Sequence, residues 1–314
     1  MPETRGPDQP VPWRDAWERA LYGPDGFFRR SRPGDHFRTS AHVGLFAEAV
    51  AELARRTSAA TIVDVGAGGG ELLAALDPLL PGTELIGVEI ADRPADLPGR
   101  IAWRRELPAR IDGVLIANEW LDNIPCPVVE VDDAGIAREL LVDPASGDET
   151  LGAVHESSWL GAWWPLDEPG QRAEDGEPRD IAWADAVSRV HGTAVAIDYG
   201  HRRDDRPPFG SLRSYVGGRE TDVRPDGSRD VTAHVAVDAV AAASGSRLLR
   251  QRDALALLGV DGARPPVGLA HSDPVAYVRA LSRAGEAGEL LGRGGLGDFW
   301  WIIADTTGHG RLAP

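Results

Sequence analysis

The residues best placed to do chemistry in this chain are three glycines, Gly66, Gly68 and Gly70. They follow a run of β-branched residues in Thr61-Ile62-Val63-Asp64-Val65-Gly66-Ala67-Gly68-Gly69-Gly70-Glu71. A strand that runs into such a turn and then into a helix brings main chain against a ligand, because glycine lacks the Cβ that would block the approach. A dinucleotide fingerprint, G-x-G-x-x-G, would place Glu71 or Leu73 where its third glycine belongs, depending on the frame, so neither frame fits. The register that does fit is Gly66-x-Gly68-x-Gly70 with Asp64 before it. A second apolar run, Glu84 to Val88, ends on Glu89, nineteen residues after Gly70. An acid at about that distance holds ribose hydroxyls in nucleoside sites; the plainer alternative is a solvated acid closing a buried strand.

This glycine register with its leading acid is the pattern of S-adenosyl-L-methionine sites in Rossmann-like methyltransferases, with Asp64, Gly66, Gly68, Gly70 and Glu89 as cofactor residues. Methyl transfer from a sulfonium is an in-line displacement, so the chain must position a nucleophile, exclude water and accept a proton where one is lost. Asn118 and Glu119 follow the run Gly113–Ala117, where open α/β sheets bind ligands, and Asp122 comes three residues later. Asn118 is a cofactor candidate. Glu119 and Asp122 could hold a guanidinium by charge-assisted bonds and turn a lone pair toward the methyl group. The competing reading makes them helix caps. Asp198-Tyr199-Gly200-His201 ends a later strand, and His201 is a candidate to shape the acceptor site or relay a proton, set against an ordinary hydrogen-bonded histidine.

Alternating strands and helices must position these groups. The patterns predict a helix from Trp13 to Leu21, another from about His42 to Arg56 with Ser40 as its N-cap, and strands at Thr61–Val65, Leu85–Glu89, Ile101–Trp103 and Gly113–Ala117. A β-hairpin at residues 128–142 stands outside this order. It is followed by a Trp-rich loop, a helix near 181–190, a strand at 194–198, a helix at 232–243, a strand at 247–250, helices at 254–258 and 274–284, and a terminal strand at 299–304. Such alternation argues a parallel sheet covered on both faces. Arg38, Thr39 and Ser40, behind a glycine- and aromatic-rich loop with Phe27 and Phe28, suit a lid over the cofactor, with Arg38 a partner for its carboxylate. Trp103 and Arg104 are candidates for the adenine edge, and Trp159, Trp163 and Trp164 for a partner surface or for core.

The chain has 314 residues and a formal charge of −16, and its 33 basic side chains are all arginine. An acidic field disfavours nucleic acid and anionic lipid and favours a cationic substrate. The single Cys126 excludes an intramolecular disulfide framework, and no Cys/His cluster has zinc spacing. The polar start and the lack of an apolar run of about 18 residues predict a cytoplasmic protein without a membrane span. The expected division is a disordered 1–12, a helical and lid segment 13–60, a first methyltransferase half 61–125, an inserted hairpin and Trp-rich loop 126–180, and a second half 181–314 with helical insertions.

Seven ordered blocks resemble the MidA-type S-adenosyl-L-methionine-dependent methyltransferases, relatives of the mitochondrial complex I assembly arginine methyltransferase. They are Tyr22–Phe28, Gly34–Ser40, the glycine turn, Ala117–Pro125 (ANEWLDNIP), Ile197–His201 (IDYGH), Ser211–Tyr215 (SLRSY) and Asp230–Val235 (DVTAHV). The resemblance spans about residues 20–305. It implies a Rossmann-like α/β methyltransferase domain, an N-terminal segment closing over the cofactor, an inserted subdomain, and methylation of a protein arginine, with S-adenosyl-L-homocysteine as product. Methylation of a small molecule at N or O, or a cofactor-binding assembly role through protein contact, stays open beside it.

Overall fold

The computed structural model describes residues 10–30 and 39–307. Its contacts divide the chain into two compact units, one of residues 1–37, 121–184 and 200–243, the other of residues 38–120, 185–199 and 244–314. The division differs from the expected one. The helix Trp13–Tyr22 belongs with the hairpin region, and residues 200–243 belong there too rather than with the second methyltransferase half.

The larger unit is built on a seven-stranded sheet: β1 (Thr61–Val65), β2 (Glu84–Val88), β3 (Ala102–Arg104), β4 (Ile111–Asn118), β5 (Val190–Asp198), β6 (Arg247–Arg250) and β7 (Trp300–Asp305). The order across the sheet is β3-β2-β1-β4-β5-β7-β6. Strands β1 to β5 run parallel, while β7 lies antiparallel between β5 and β6. The sheet is therefore mixed rather than wholly parallel. Four of the five β1 residues are buried in succession, as expected of strands covered on both faces. Leu45, Phe46, Val50 and Leu53 of the helix Gly44–Thr57 bury one flank of this core together with Ile62, Val114 and Trp301.

The order reverses between β1 and β4, which are neighbours in space but separated in sequence by β2 and β3. Ligands of open α/β sheets bind outside the carboxyl ends of strands at such a reversal. The glycine turn and Asn118-Glu119 are the segments that leave those two ends.

The smaller unit carries an antiparallel sheet of Val128–Val131, Ala137–Val142, Glu149–Val154 and Arg172–Glu174, with Val11–Pro12 added along Leu141–Val142. The hairpin is as expected, but Val11 and Pro12 are strand residues, contrary to the disorder expected of residues 1–12. A second small sheet joins Arg213–Val216 to Arg219–Thr221 and Asp230–Thr232. Thr232 thus ends a strand rather than starting a helix, and the helix begins at Val237. Pairing with Arg213–Tyr215 satisfies the backbone there, and the β-branched Val231 and Thr232 favour it. Of the three tryptophans read as partner surface or core, Trp159 and Trp164 are core, and the Trp159 indole donates to Asp180 Oδ2 at 2.6 Å.

Ser40 is not the N-cap of the next helix. Thr39 and His42 close a short 3-10 turn over Ser40–His42, and the helix starts at Gly44 after Val43. The Ser40 hydroxyl faces inward. It accepts from Gln251 Nε2 at 3.0 Å, while Gln251 Oε1 accepts from the Trp301 indole at 3.2 Å, and all three residues are buried. Gln251→Ala would strand an indole N–H and a hydroxyl inside the core and open a cavity. We expect a loss of about 2–4 kcal/mol in urea-unfolding free energy, with Gln251→Glu intermediate.

Candidate functional site

The glycine turn is held by the strand beside it. Gly66 N and Ala67 N donate to Val88 O at 3.0 and 3.3 Å, and Gly70 N donates to Ala67 O at 2.7 Å. Gly66, Gly68 and Gly70 have φ of 69°, 55° and 78°, the left-handed region that side chains disfavour. Space is short as well: a Cβ on Gly66 would lie 2.9 Å from Trp120 Cδ1, and one on Gly70 2.8 Å from Leu97 Cδ1.

Carboxylates take the turn's N–H groups. Glu89 Oε2 accepts from Gly68 N at 3.0 Å, its Oε1 accepts from Ile90 N at 2.7 Å, and Glu71 Oε2 accepts from Gly69 N at 3.1 Å. Asp64 lies beneath, 4% exposed. Burial chiefly, then the charges of Glu71 and Glu89, push its carboxyl up to about 8. An anionic pyrophosphate would meet the carboxylates of Glu71 and Glu89 here, whereas a sulfonium and an ammonium would be welcomed. The failed dinucleotide register and the electrostatics therefore agree.

Glu119 closes β4 with φ of 53°, one of two non-glycine residues with positive φ among the described residues. Its N–H donates to Ile197 O at 2.8 Å, which fixes the strained residue at the end of β4 beside β5. Asn118 is 9% exposed; its Nδ2 donates to Glu119 Oε1 at 3.2 Å, while its Oδ1, also buried, has no hydrogen-bond partner. A buried amide oxygen without a donor is costly, and a ligand ammonium would satisfy it. The turn's open backbone, Glu89 and Asn118 Oδ1 together suit an adenosyl ligand with a cationic amino-acid tail. Trp103 packs against the same region, its indole donating to Ala91 O at 3.0 Å and its Cζ3 3.4 Å from where a Gly70 Cβ would stand.

Other expected cofactor residues fare differently. Ser40 is committed to Gln251, and Thr39 Oγ1 lies 3.1 Å from His42 Nδ1. Both side chains thus make contacts within the fold of the larger unit. Arg38 lies outside the described residues. The Tyr199 ring packs at a tilt of 59° against Phe299, with centroids 5.4 Å apart, and the Asp198 carboxylate accepts from the Tyr199 N–H at 3.1 Å.

Asp122 and His201 belong to the smaller unit. Asp122 is 4% exposed and its Oδ2 accepts from Thr232 Oγ1 at 2.8 Å. The turn that carries it is pinned by carbonyls: Asp122 O accepts from Arg179 Nη2 at 2.8 Å, Asn123 O from Tyr22 Oη at 2.8 Å and Ile124 O from Arg179 Nε at 3.2 Å. Arg179, 1% exposed, also donates to His234 O at 2.8 Å and lies 5.6 Å from the Trp17 ring centroid. No spacing rule marked Arg179; its role arises from three segments distant in sequence.

His201 is buried, and Arg206 Nη1 donates to its Nδ1 at 2.7 Å. Because guanidinium is only a donor, Nδ1 must be bare and Nε2 must carry the proton. Burial first, then Arg206 and His234, push the imidazole down to about 3. With Nδ1 occupied and the ring neutral, His201 is left an Nε2–H with which to shape an acceptor site. Among the described residues no group of three ligands suits a metal ion, and no helix is long and apolar enough to cross a membrane.

Residues 83–251, more than half of the chain, match the family described as "Putative S-adenosyl-L-methionine-dependent methyltransferase", and the chain belongs to that family. It is thus a methyltransferase of the S-adenosyl-L-methionine-dependent class, and that compound is its cofactor. Two solved structures from Burkholderia thailandensis share the fold. One, described as a "likely methyl transferase" and bound to S-adenosyl-homocysteine, has 24% identity and a TM-score of 0.77, over 95% of this chain and 88% of that one. The other, an uncharacterised protein in native form, has 23% identity and a TM-score of 0.74, over 95% and 87%. No curated protein matches the chain.

Two outcomes follow from the turn. Gly66→Ala and Gly70→Val add a side chain where φ and space both forbid it, and should weaken S-adenosyl-L-homocysteine binding by calorimetry at least about tenfold. Asp64 stays protonated in the fold while the unfolded chain ionises near 3.8, so the native state binds the extra proton between those values. The stability linked to Asp64 is therefore full at low pH and lost as pH rises toward about 8. The melting temperature of wild type relative to Asp64→Asn should fall across that window, and parallel profiles would refute the assignment.

Proposed function

We propose that this chain is a protein arginine N-methyltransferase of the MidA type, acting in the cytoplasm. The observation that carries the reading is Glu119, an acid held in a left-handed conformation at the carboxyl end of β4, at the reversal of the sheet whose other lip is the glycine turn. Strain of this kind persists where surrounding structure imposes it, and it concentrates at functional sites. The net charge of −16 favours a cationic acceptor over a phosphorylated one. The lone Cys126 is buried, and burial pushes its thiol up to about 11, in keeping with an inert thiol in a reducing compartment.

When bound, S-adenosyl-L-methionine supplies an electrophilic methyl carbon. The chain's own part is to bind the adenosyl group at Asp64, Gly66, Gly68, Gly70, Glu89 and Asn118, and to orient the acceptor. Glu119 accepts guanidinium N–H bonds, which fixes the plane of the group and concentrates electron density on the nitrogen facing the methyl. A carboxylate also receives the one proton that the attacking nitrogen loses, so that the methylated guanidinium leaves with its single charge and S-adenosyl-L-homocysteine leaves neutral.

Incubation with methyl-labelled S-adenosyl-L-methionine and lysate of the source organism, followed by mass spectrometry, should place label on arginine within a protein. Glu119→Gln should lower kcat by about 10²-fold or more while S-adenosyl-L-homocysteine binding stays within about threefold. Label confined to small metabolites would overturn the protein-arginine reading.

A further inference from the structure

The smaller unit contains a buried acid that the sequence pattern left without a role. Asp230 opens the strand Asp230–Thr232, two residues before the threonine whose hydroxyl holds Asp122 Oδ2 at 2.8 Å. Side chains two apart on a strand leave the same face, so Asp230 and Thr232 are both turned toward the Asp122 carboxyl. Asp230 is 8% exposed, and its Oδ1, fully screened from solvent, has no hydrogen-bond partner. Buried carboxyl oxygens are ordinarily satisfied, and one aimed at a second carboxyl has the geometry of a site made for a donor.

The neighbouring cations are spent elsewhere. Arg213, across the sheet from Thr232, pairs with Glu220 at 3.2 Å, and Arg179 gives its Nε, Nη1 and Nη2 protons to the carbonyls of Ile124, His234 and Asp122. The residue directly across from Asp230 is Tyr215, a neutral phenol. Burial and then the Asp122 charge push Asp230 up to about 7, so its carboxyl holds a proton below neutrality and loses it above.

We propose that Asp122 and Asp230 form a carboxyl pair that binds a guanidinium cation, with Asp230 Oδ1 accepting a guanidinium N–H. The inference rests on the reading of the chain as a methyltransferase of cationic nitrogen, and gives Asp230 a guanidinium-binding role within the smaller unit. No bond to carbon changes in this step: one O–H proton departs, one N–H···O bond replaces it, and the ligand keeps its charge. A planar cation with parallel N–H groups suits two carboxyls better than a point charge does.

The test is calorimetric titration of methylguanidinium into the full chain, in buffers of different protonation enthalpy. At about pH 6 binding should release close to one proton, falling toward none by about pH 9. Asp230→Asn should weaken binding about tenfold or more and abolish the release, Asp230→Glu should restore most of both, and neutral methylurea should not compete. An arginine-containing peptide that binds more tightly than methylguanidinium identifies the source as a protein side chain; equal affinity identifies a small guanidine, and the guanidinium assignment stands in either case. Absence of proton release in wild type overturns the proposal even if Asp230→Asn fails to fold, as does equal binding of methylurea. Guanidinium binding without methyl transfer to any arginine would sink the functional reading and leave this site standing. Unchanged methylguanidinium affinity in folded Asp230→Asn would sink the site and leave the function.

Discussion

The bond from Gly68 N to Glu89 Oε2, 3.0 Å long, joins the ends of β1 and β2, and much of the cofactor chemistry depends on it. It forms only because the backbone at Gly66, Gly68 and Gly70 takes conformations closed to other residues, which turns amide protons outward from the strand end. It also places a carboxylate at the turn, above the buried Asp64 and beside Glu71. The turn is thereby acidic where a phosphate-binding turn must be electropositive. One hydrogen bond thus expresses both the local geometry and the ligand preference.

The rest of the larger unit follows from bringing that turn level with the end of β4. Parallel pairing of β1 with β2 on one side and β4 on the other sets the register, and β-branched residues buried on both faces keep it from slipping. The antiparallel β7 completes the sheet beyond β5 and carries Trp301, whose indole anchors the Gln251–Ser40 contact. Strain at Glu119 is sustained by this frame, since its N–H is held by Ile197 O from β5.

In the smaller unit the organising group is Arg179, a buried cation whose described hydrogen bonds go to carbonyl oxygens. Hydrogen bonds to three carbonyls, with an aromatic face nearby, replace much of the lost hydration. The consequence is a fixed turn at Asp122–Ile124, with Asp122 toward Thr232 and Asp230. His201 obeys the same logic on a smaller scale, because Arg206 decides which of its nitrogens carries the proton.

Some of this was legible in the chain before any fold was known. The spacing of Gly66, Gly68 and Gly70, the acid at Glu89 and the position of Asn118-Glu119 after an apolar run are local features, governed by backbone sterics and strand periodicity, and they suffice for the cofactor class and the sheet. The segment around Thr232 read as a helix, because strand pairing with Arg213–Tyr215 is a non-local gain that local propensity does not contain. Ser40 read as a cap for the same reason: its real partner is 211 residues away. Sequence by itself thus determined the glycine turn and the alternating core, where neighbours along the chain dictate the conformation. Only the tertiary structure decided that His201 is a neutral donor, that Asp230 faces Asp122 and that Arg179 holds the turn between them. Protonation states and buried partners depend on desolvation and on charges brought together from distant segments.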